Sequence, residues 1–291
     1  MGKLVRMIAE DGTFTVIAAD TTDIVARAEQ IHKTSAVATA ALGRLLTAAC
    51  FMGAVLKGEK NTVSLRMMGN GPAGAVLAAA DSMGNVRGYV SNPLVELPLN
   101  AKGKLDVAGA VGTDGMFTVV KDFGLKEPYV GQIPIVSGEI AEDVTNYFAT
   151  SEQIPTACAL GVLVNSDLTV KKAGGFMIQL LPTAMDDTID KVEACMMKAR
   201  SATEMLADGL DPEAMCREVL QGFDLQVLDE MHPAYLCRCS RQRVEQALIS
   251  AGKKELLAMA EDAKTEISCH FCDKKYEFSS AELRRLAEGL E

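Results

Sequence analysis

Ala36-Val37-Ala38-Thr39-Ala40-Ala41-Leu42-Gly43-Arg44-Leu45-Leu46-Thr47-Ala48-Ala49-Cys50-Phe51-Met52-Gly53-Ala54-Val55-Leu56 carries one charge, Arg44, near its middle. The stretch is long and apolar enough for a membrane span. In lipid, however, Arg44 would cost roughly 2.5–3.5 kcal/mol even on a lenient insertion scale. Ala, Gly and Thr dominate the remainder. The better reading is a helix buried in a protein core, because a helix that is apolar all round needs cover on every side.

The surroundings of this helix read as one α+β unit over residues 1–182. Upstream, Val5-Arg6-Met7-Ile8-Ala9 and Phe14-Thr15-Val16-Ile17-Ala18 flank Asp11-Gly12. Asp-Gly between two apolar runs predicts a hairpin. Helical sequence then runs from 22 to 56, with a break expected near His32-Lys33-Thr34. Downstream, strands are expected at 62–68, 75–80, 86–90, 117–121, 157–164 and 175–181. Met83-Gly84-Asn85 and Asp114-Gly115 supply turns. Gly138-Glu139-Ile140 should open a helix reaching Tyr147. Strands outnumber helices and come in hairpins, so the sheet should be largely antiparallel.

Composition narrows the function. The chain has 291 residues, 48% of them apolar, and no Trp. Aliphatic residues, Met and Ala must therefore fill the core. A net charge of −10 argues against nucleic acid, whose affinity rests on Lys and Arg neutralising phosphates. It argues equally against an anionic membrane surface. Met1-Gly2-Lys3-Leu4-Val5-Arg6 lacks the apolar run of a secretory signal and the residue pattern of a myristoylation site. A cytoplasmic protein is expected. There the eight cysteines should be reduced at rest, and clusters of them mean metal or redox chemistry.

Residues 183–232 change character. They read as a helical linker broken at Gly209, Pro212 and Gly222. Twelve acids face only Lys191, Lys198, Arg200 and Arg217, leaving a local charge of −8. Met185, Met196, Met197, Met205 and Met215 punctuate the segment. Methionine suits surfaces that must fit many partners. The plainer alternative is an amphipathic helical hairpin with Met inside and the acids in water.

Residues 233–291 form a small unit, with helices expected at 241–249 and 253–260 and two short strands, 265–268 and 276–278. Ser279 or Ser280 should cap a last helix reaching Leu290. About 59 residues make a marginal core and usually need a staple. Cys237-Arg238-Cys239 and Cys269-His270-Phe271-Cys272 supply one, with residues 240–268 between them. Four thiolates from two clusters can close a tetrahedron round one Zn²⁺ per chain, with Zn–S of about 2.3 Å. Four sulfurs leave no open position for water, so the site is structural or redox rather than hydrolytic. A disulfide inside C-x-C closes a small ring and should reverse easily. Arg238, Arg241, Arg243, Lys274 and Lys275 should favour thiolates. The same residues also suit a purely structural zinc with solvated basic neighbours, and spacing leaves both readings open.

The other candidates carry less. Four sulfurs already complete a shell without His232 or His270. Cys50, Cys158, Cys195 and Cys216 are isolated and read as small hydrophobes. Gly69-Asn70-Gly71-Pro72-Ala73-Gly74 matches G-x-G-x-x-G, but a dinucleotide site also needs a helix opening at once, and the segment after Gly74 reads as a hairpin. No catalytic constellation is present, so no enzyme activity is expected.

The chain resembles a known family, the redox-regulated heat-shock holdase also called the thirty-three-kilodalton chaperonin. The resemblance lies in Met231-His232-Pro233-Ala234-Tyr235-Leu236-Cys237-Arg238-Cys239-Ser240 and Cys269-His270-Phe271-Cys272. It extends to Gly84-Asn85-Val86-Arg87-Gly88-Tyr89-Val90, Tyr129-Val130-Gly131-Gln132-Ile133-Pro134 and Ser151-Glu152-Gln153-Ile154-Pro155-Thr156. It implies a zinc-bound, inactive reduced form. Under oxidative and heat stress it implies disulfides Cys237–Cys239 and Cys269–Cys272, zinc release and unfolding of the C-terminal region. It further implies homodimers that bind unfolding client proteins without ATP. On that reading, Met196, Met197, Met205, Leu206 and Met215 of the linker belong to the client surface. The rivals are a thiol–disulfide oxidoreductase using Cys269 and Cys272, a zinc-ribbon nucleic-acid module, disfavoured by ten bases against ten acids in the tail, and a constitutive interaction protein with a structural zinc.

Overall fold

Asp11-Gly12 turns the chain as expected. In the computed structural model, which describes residues 2–289, β1 (Lys3–Ala9) and β2 (Phe14–Asp20) pair antiparallel around it. Gly12 takes φ +68°, a conformation cheap only for glycine. Asp11 Oδ1 accepts from the Thr13 amide at 3.1 Å and its hydroxyl at 2.6 Å. Two helices come next, α1 (Thr22–His32) and α2 (Ala36–Ala54). They part where the sequence predicted, with Lys33 left-handed at φ 51°.

The chain divides into two compact units, with the boundary between Leu236 and Cys237. The first continues with β3 (Thr62–Met68), β4 (Ala75–Asp81), β5 (Val86–Val90), α3 (Val107–Val111), β6 (Met116–Asp122) and β7 (Tyr129–Pro134). After these come α4 (Ala141–Tyr147), a π-helical turn Phe148–Glu152, β8 (Thr156–Val164) and β9 (Val170–Leu180). Its last part holds α5 (Asp186–Lys198), α6 (Ala202–Ala207), α7 (Pro212–Val219) and β10 (Leu225–Met231). The strands form two antiparallel sheets, ordered β10-β1-β2-β9-β8 and β5-β4-β3-β6-β7.

Helix α2 lies between these sheets, touching β4 and β5 of one and β8 and β9 of the other. Seventeen of its nineteen residues are buried. That is why its sequence is apolar on every side, and why it needs no membrane. Arg44 escapes at the rim, where its guanidinium donates to Glu139 Oε2 at 2.5 Å. Leu42, Leu45, Leu46 and Phe51 are each at most 1% exposed. Such a side chain contributes about 1.5–3 kcal/mol on burial.

Four elements differ from the sequence reading. Strand β7, the short helix α3 and the π-helical turn Phe148–Glu152 were not expected. Strand β10 replaces the helical end expected for the linker: Leu225–Met231 pairs antiparallel with β1 along Leu4↔Met231 to Ala9↔Leu225. The rest of the linker is helical and packs on the outer face of the same sheet. Val5, Met7, Phe14, Val16, Phe176 and Ile178 meet Val192, Met205, Met215 and Cys216 there. The G-x-G-x-x-G segment is a tight turn between β3 and β4. A Cβ on Gly69 or Gly71 would come within 2.3 Å of the α3 carbonyls of Val111 or Ala110. The Gly71 amide already donates to Val111 O at 3.0 Å. These glycines admit a helix backbone, not a phosphate.

The second unit holds α8 (Arg241–Ala251), α9 (Lys253–Met259), β11 (Lys264–Ser268), β12 (Lys275–Ser279) and α10 (Ser280–Glu288). Ser279 caps α10 in a capping box with Glu282. Leu290, the expected end of this helix, lies outside the described residues. The core of this unit is Leu248, Leu256, Ala260, Tyr276, Phe278, Leu283 and Ala287.

Candidate metal centre

The β11–β12 hairpin presents one cysteine pair. Ser268 and Lys275 are its last paired residues, so 269–274 form the turn. The Cys269 amide donates to Lys274 O at 2.9 Å, and the amides of Asp273 and Cys272 donate back to Cys269 O at 2.8 and 3.3 Å. Asp273 takes φ 56° to make this possible. The loop closes on itself as a knuckle carrying Cys269 and Cys272. The other pair lies just before α8, whose N-cap Ser240 accepts from the Arg243 amide at 3.3 Å. The Arg243 guanidinium donates to Arg238 O at 3.0 Å, fixing the path of the C-x-C segment.

The two pairs converge. Cys237, Cys239, Cys269 and Cys272 place their Sγ atoms within 4.8 Å of one another. Cys237 and Cys269 approach to 3.7 Å, and Cys239 and Cys272 to 3.4 Å. A regular tetrahedron with Zn–S of about 2.3 Å has S···S edges of about 3.8 Å. Four half-buried sulfurs at this spacing fit a zinc ion. Among the described residues this is the one group with metal-holding geometry, and neither His232 nor His270 belongs to it.

Electrostatics within the group are uneven. Burial raises the Cys237 and Cys272 thiols. Cys239 also meets a burial penalty, but hydrogen bonds outweigh it, led by the Tyr276 hydroxyl at 3.1 Å, and its pKa falls to about 7. Tyr276 escaped the sequence reading. Its only signal is its position, four residues past Cys272 on a strand whose alternate residue Phe278 is core. The expected help from basic neighbours is diluted. Arg241 is engaged by Glu282 at 2.7 Å and Glu245 at 3.3 Å, and Lys275 by Glu266 at 2.7 Å.

The remaining cysteines behave as small hydrophobes. Burial pushes the thiols of Cys50, Cys158 and Cys216 up to about 12, where the reactive thiolate is scarce. The linker residues take three environments: Met205, Leu206 and Met215 are at most 1% exposed, Met196 is half-buried, and Met197 is 87% exposed. The acids are ordered by a few bases. Arg200 bridges Glu218 and Asp208, Lys3 meets Asp211 at 2.8 Å, and Arg6 meets Asp229 at 2.9 Å. Met205 and Met215 thus lie inside, Met196 lies at the boundary, and Met185 and Met197 lie in water with most of the acids.

Comparison with known proteins agrees with this geometry. The family profile described as Hsp33 protein matches residues 2–279. The chain is 48% identical over 282 residues to the 33 kDa chaperonin of Lachnoclostridium phytofermentans, covering 97% of this chain and 96% of that one. It is 47% identical over 289 residues to the 33 kDa chaperonin of Acetivibrio thermocellus, covering 99% and 97%. The crystal structure of the 33 kDa chaperonin from Thermotoga maritima superposes with a TM-score of 0.90 at 39% identity, covering 98% of each chain.

Proposed function

The chain belongs to the Hsp33 family, and from that premise we propose that it is a redox-regulated holdase of the cytoplasm, acting by binding unfolded proteins rather than by catalysis. The observation that carries this reading is the convergence of four cysteine sulfurs within 4.8 Å. Cys237, Cys239, Cys269 and Cys272 would hold one Zn²⁺ per chain. Bound zinc would keep these sulfurs as thiolates and add its binding energy to the fold of the C-terminal unit.

Oxidation removes the ligands. Each disulfide would form as two thiolates give two electrons to one hydrogen peroxide, which takes two protons from solvent and leaves as two waters. Family resemblance assigns the disulfides to Cys237–Cys239 and Cys269–Cys272. Reduced-state distances do not select them, because the sulfurs nearest each other pair across the clusters. With the thiolates gone, seven buried residues are too small a core for a unit of this size.

The acidic segment 183–232 is the proposed linker between a core of 1–182 and a switch domain of 233–291. Lifting α5–α7 from their sheet would bare Val5, Met7, Phe14, Val16, Phe176 and Ile178 on one side. It would bare Met196, Met205, Leu206 and Met215 on the other, with Met197 already in water. Such a surface binds unfolded chains, while the local charge keeps the complex dissolved. The oxidised form is proposed to act as a homodimer. An oxidoreductase role for Cys269 and Cys272 fits less well, since the C-x-x-C lies in a β-hairpin turn rather than leading into a long helix.

The test is light scattering from a thermally unfolding client. Reduced, zinc-loaded protein should leave aggregation unchanged. Protein treated with peroxide at mild heat should suppress it and release about one zinc per chain. Equal behaviour of the two preparations sinks the proposal.

A further inference from the structure

Strand β5 is the last strand of its sheet, yet its outer edge is covered. The segment 233–236, which ends one residue before Cys237, runs along it. The Val86 amide donates to Ala234 O at 2.9 Å, and the Leu236 amide donates to Val86 O at 2.8 Å. These are the two bonds of a parallel bridge between Val86 and Tyr235. One pleat further on, the Tyr235 hydroxyl donates to Gly88 O at 2.8 Å and accepts from the Gly88 amide at 3.3 Å. His32 Nε2 stands 2.9 Å from the same carbonyl oxygen and 3.2 Å from the hydroxyl. A side chain thus takes the place of the next residue of an added strand. The Tyr235 ring packs against the main core. The strap is pinned at its start by the Gly2 amide on Pro233 O at 3.0 Å and by Asn85 Oδ1 on the Ala234 amide at 3.1 Å.

We propose that the β5 edge at Val86 and Gly88 is a strand-addition site for an extended peptide with an aromatic side chain, and that residues 233–236 occupy it as a built-in pseudo-ligand. Main-chain groups supply the bonds and one slot, lined by Gly88 and His32, supplies preference. That recognition fits unfolded chains wherever an aromatic residue falls in an extended stretch. If the strap leaves, the Val86 amide, the Val86 carbonyl and the Gly88 amide lose their partners while Gly88 O keeps His32, and an exposed edge seeks another strand. Release of the strap on oxidation rests on the redox reading above, because Cys237 is joined directly to Leu236. The site itself does not rest on it.

The experiment uses full-length, reduced, zinc-loaded protein and a fluorescein-labelled peptide of the sequence of residues 232–236, read by anisotropy. Tyr235→Ala removes both the hydroxyl and the ring of the strap, and is expected to bind this peptide at least about tenfold more tightly than the wild type. Methylating the peptide's leucine nitrogen deletes the bond to Val86 O and should cost about tenfold. Zinc content and circular dichroism must match the wild type. Leu236→Pro, which deletes the strap's own bond to Val86 O and leaves the slot intact, should show the same contrast between the two peptides and serves if Tyr235→Ala fails to fold. Equal binding by wild type and variant, or equal binding of the two peptides, overturns the site. A variant that binds the peptide while wild-type client protection ignores peroxide keeps the site and rejects the redox trigger.

Discussion

The first unit removes seventeen of nineteen α2 residues from water and surrounds them with two five-stranded sheets. The second buries seven apolar residues in its core among those described. Both contain helices, a hairpin and well-formed caps. They differ in what remains when one interaction is removed. The first can lose a side chain and keep its layers. The second, on the proposed function, would depend on zinc held by four sulfurs from the segment before α8 and the β11–β12 turn. On that reading, one chain combines a fold stabilised by burial with a fold stabilised by zinc ligation, and an oxidant would undo only the second.

The largest effect should come from the sulfurs. Cys269→Ser is expected to abolish zinc binding and remove on the order of 10 kcal/mol from the C-terminal unit. Metal analysis should find no zinc, and the helical signal of α8–α10 should fall while the melt of the first unit stays. A variant that loses zinc and keeps those helices would erase the contrast between the units.

Core truncations sharpen it. Leu45→Ala should cost about 2–5 kcal/mol in a urea melt and still leave a folded first unit. Phe278→Ala should cost about 3–5 kcal/mol and weaken zinc binding, because metal and core fold together. Unchanged zinc affinity in Phe278→Ala would show that they do not.

The linker ranks third. Met205→Ser replaces a fully buried side chain and should destabilise the α5–α7 cover by at least about 2 kcal/mol. It should also weaken protection of clients with zinc content unchanged. Met197→Ser, at an exposed position, should change stability by less than about 0.5 kcal/mol. Client protection by Met205→Ser equal to wild type would remove that residue from the client surface.

The smallest effect lies at Asp211, which caps α7 by accepting from the Ala214 amide at 2.9 Å and pairs with Lys3. Asp211→Ala should cost about 1 kcal/mol. The Lys3 ammonium and the Ala214 amide hold the Asp211 carboxyl below its ordinary range, and Asp211 raises Lys3 above 10.5. The carboxylate's contribution is present above the ordinary Asp range and fades as pH falls through the lowered value. The lysine's is present below 10.5 and fades as pH rises through the raised one. Wild type and variant should therefore converge in acid, differ most at intermediate pH, and differ by the cap alone in strong alkali. A difference that does not shrink as pH rises through the lysine range would leave the cap alone, without the ion pair.

Much of this contrast was legible in the sequence. A long apolar run with Arg44 near its middle and small residues elsewhere reads as a buried helix, because no other environment suits it. Asp11-Gly12 fixes a hairpin through local backbone preference. Two cysteine pairs at the ends of a short tail mark the site, because ligand spacing is a local property. Strand β10 was not legible. Gln226, Val227 and Leu228 are exposed and acids come after them, so no alternation appears, and the strand exists because β1 offers it an edge. Strand β7 has no side-chain signal either, with exposed Tyr129 and Val130 and a proline at its end. The burial of Met205 and Met215 depends on a sheet face built in large part by β1 and β2, at the far end of the sequence. The Tyr276 hydroxyl on Cys239 needs a folded hairpin before it can be seen.

Hydrogen exchange read by mass spectrometry, on reduced zinc-loaded protein and on the same protein after peroxide, tests the central claim most directly. The account predicts that β11, β12 and α10 lose protection as zinc is released, while α2 and β3 keep theirs. Protection that persists in β11 and β12 after the zinc has gone, or that vanishes in α2 at the same moment, would contradict it.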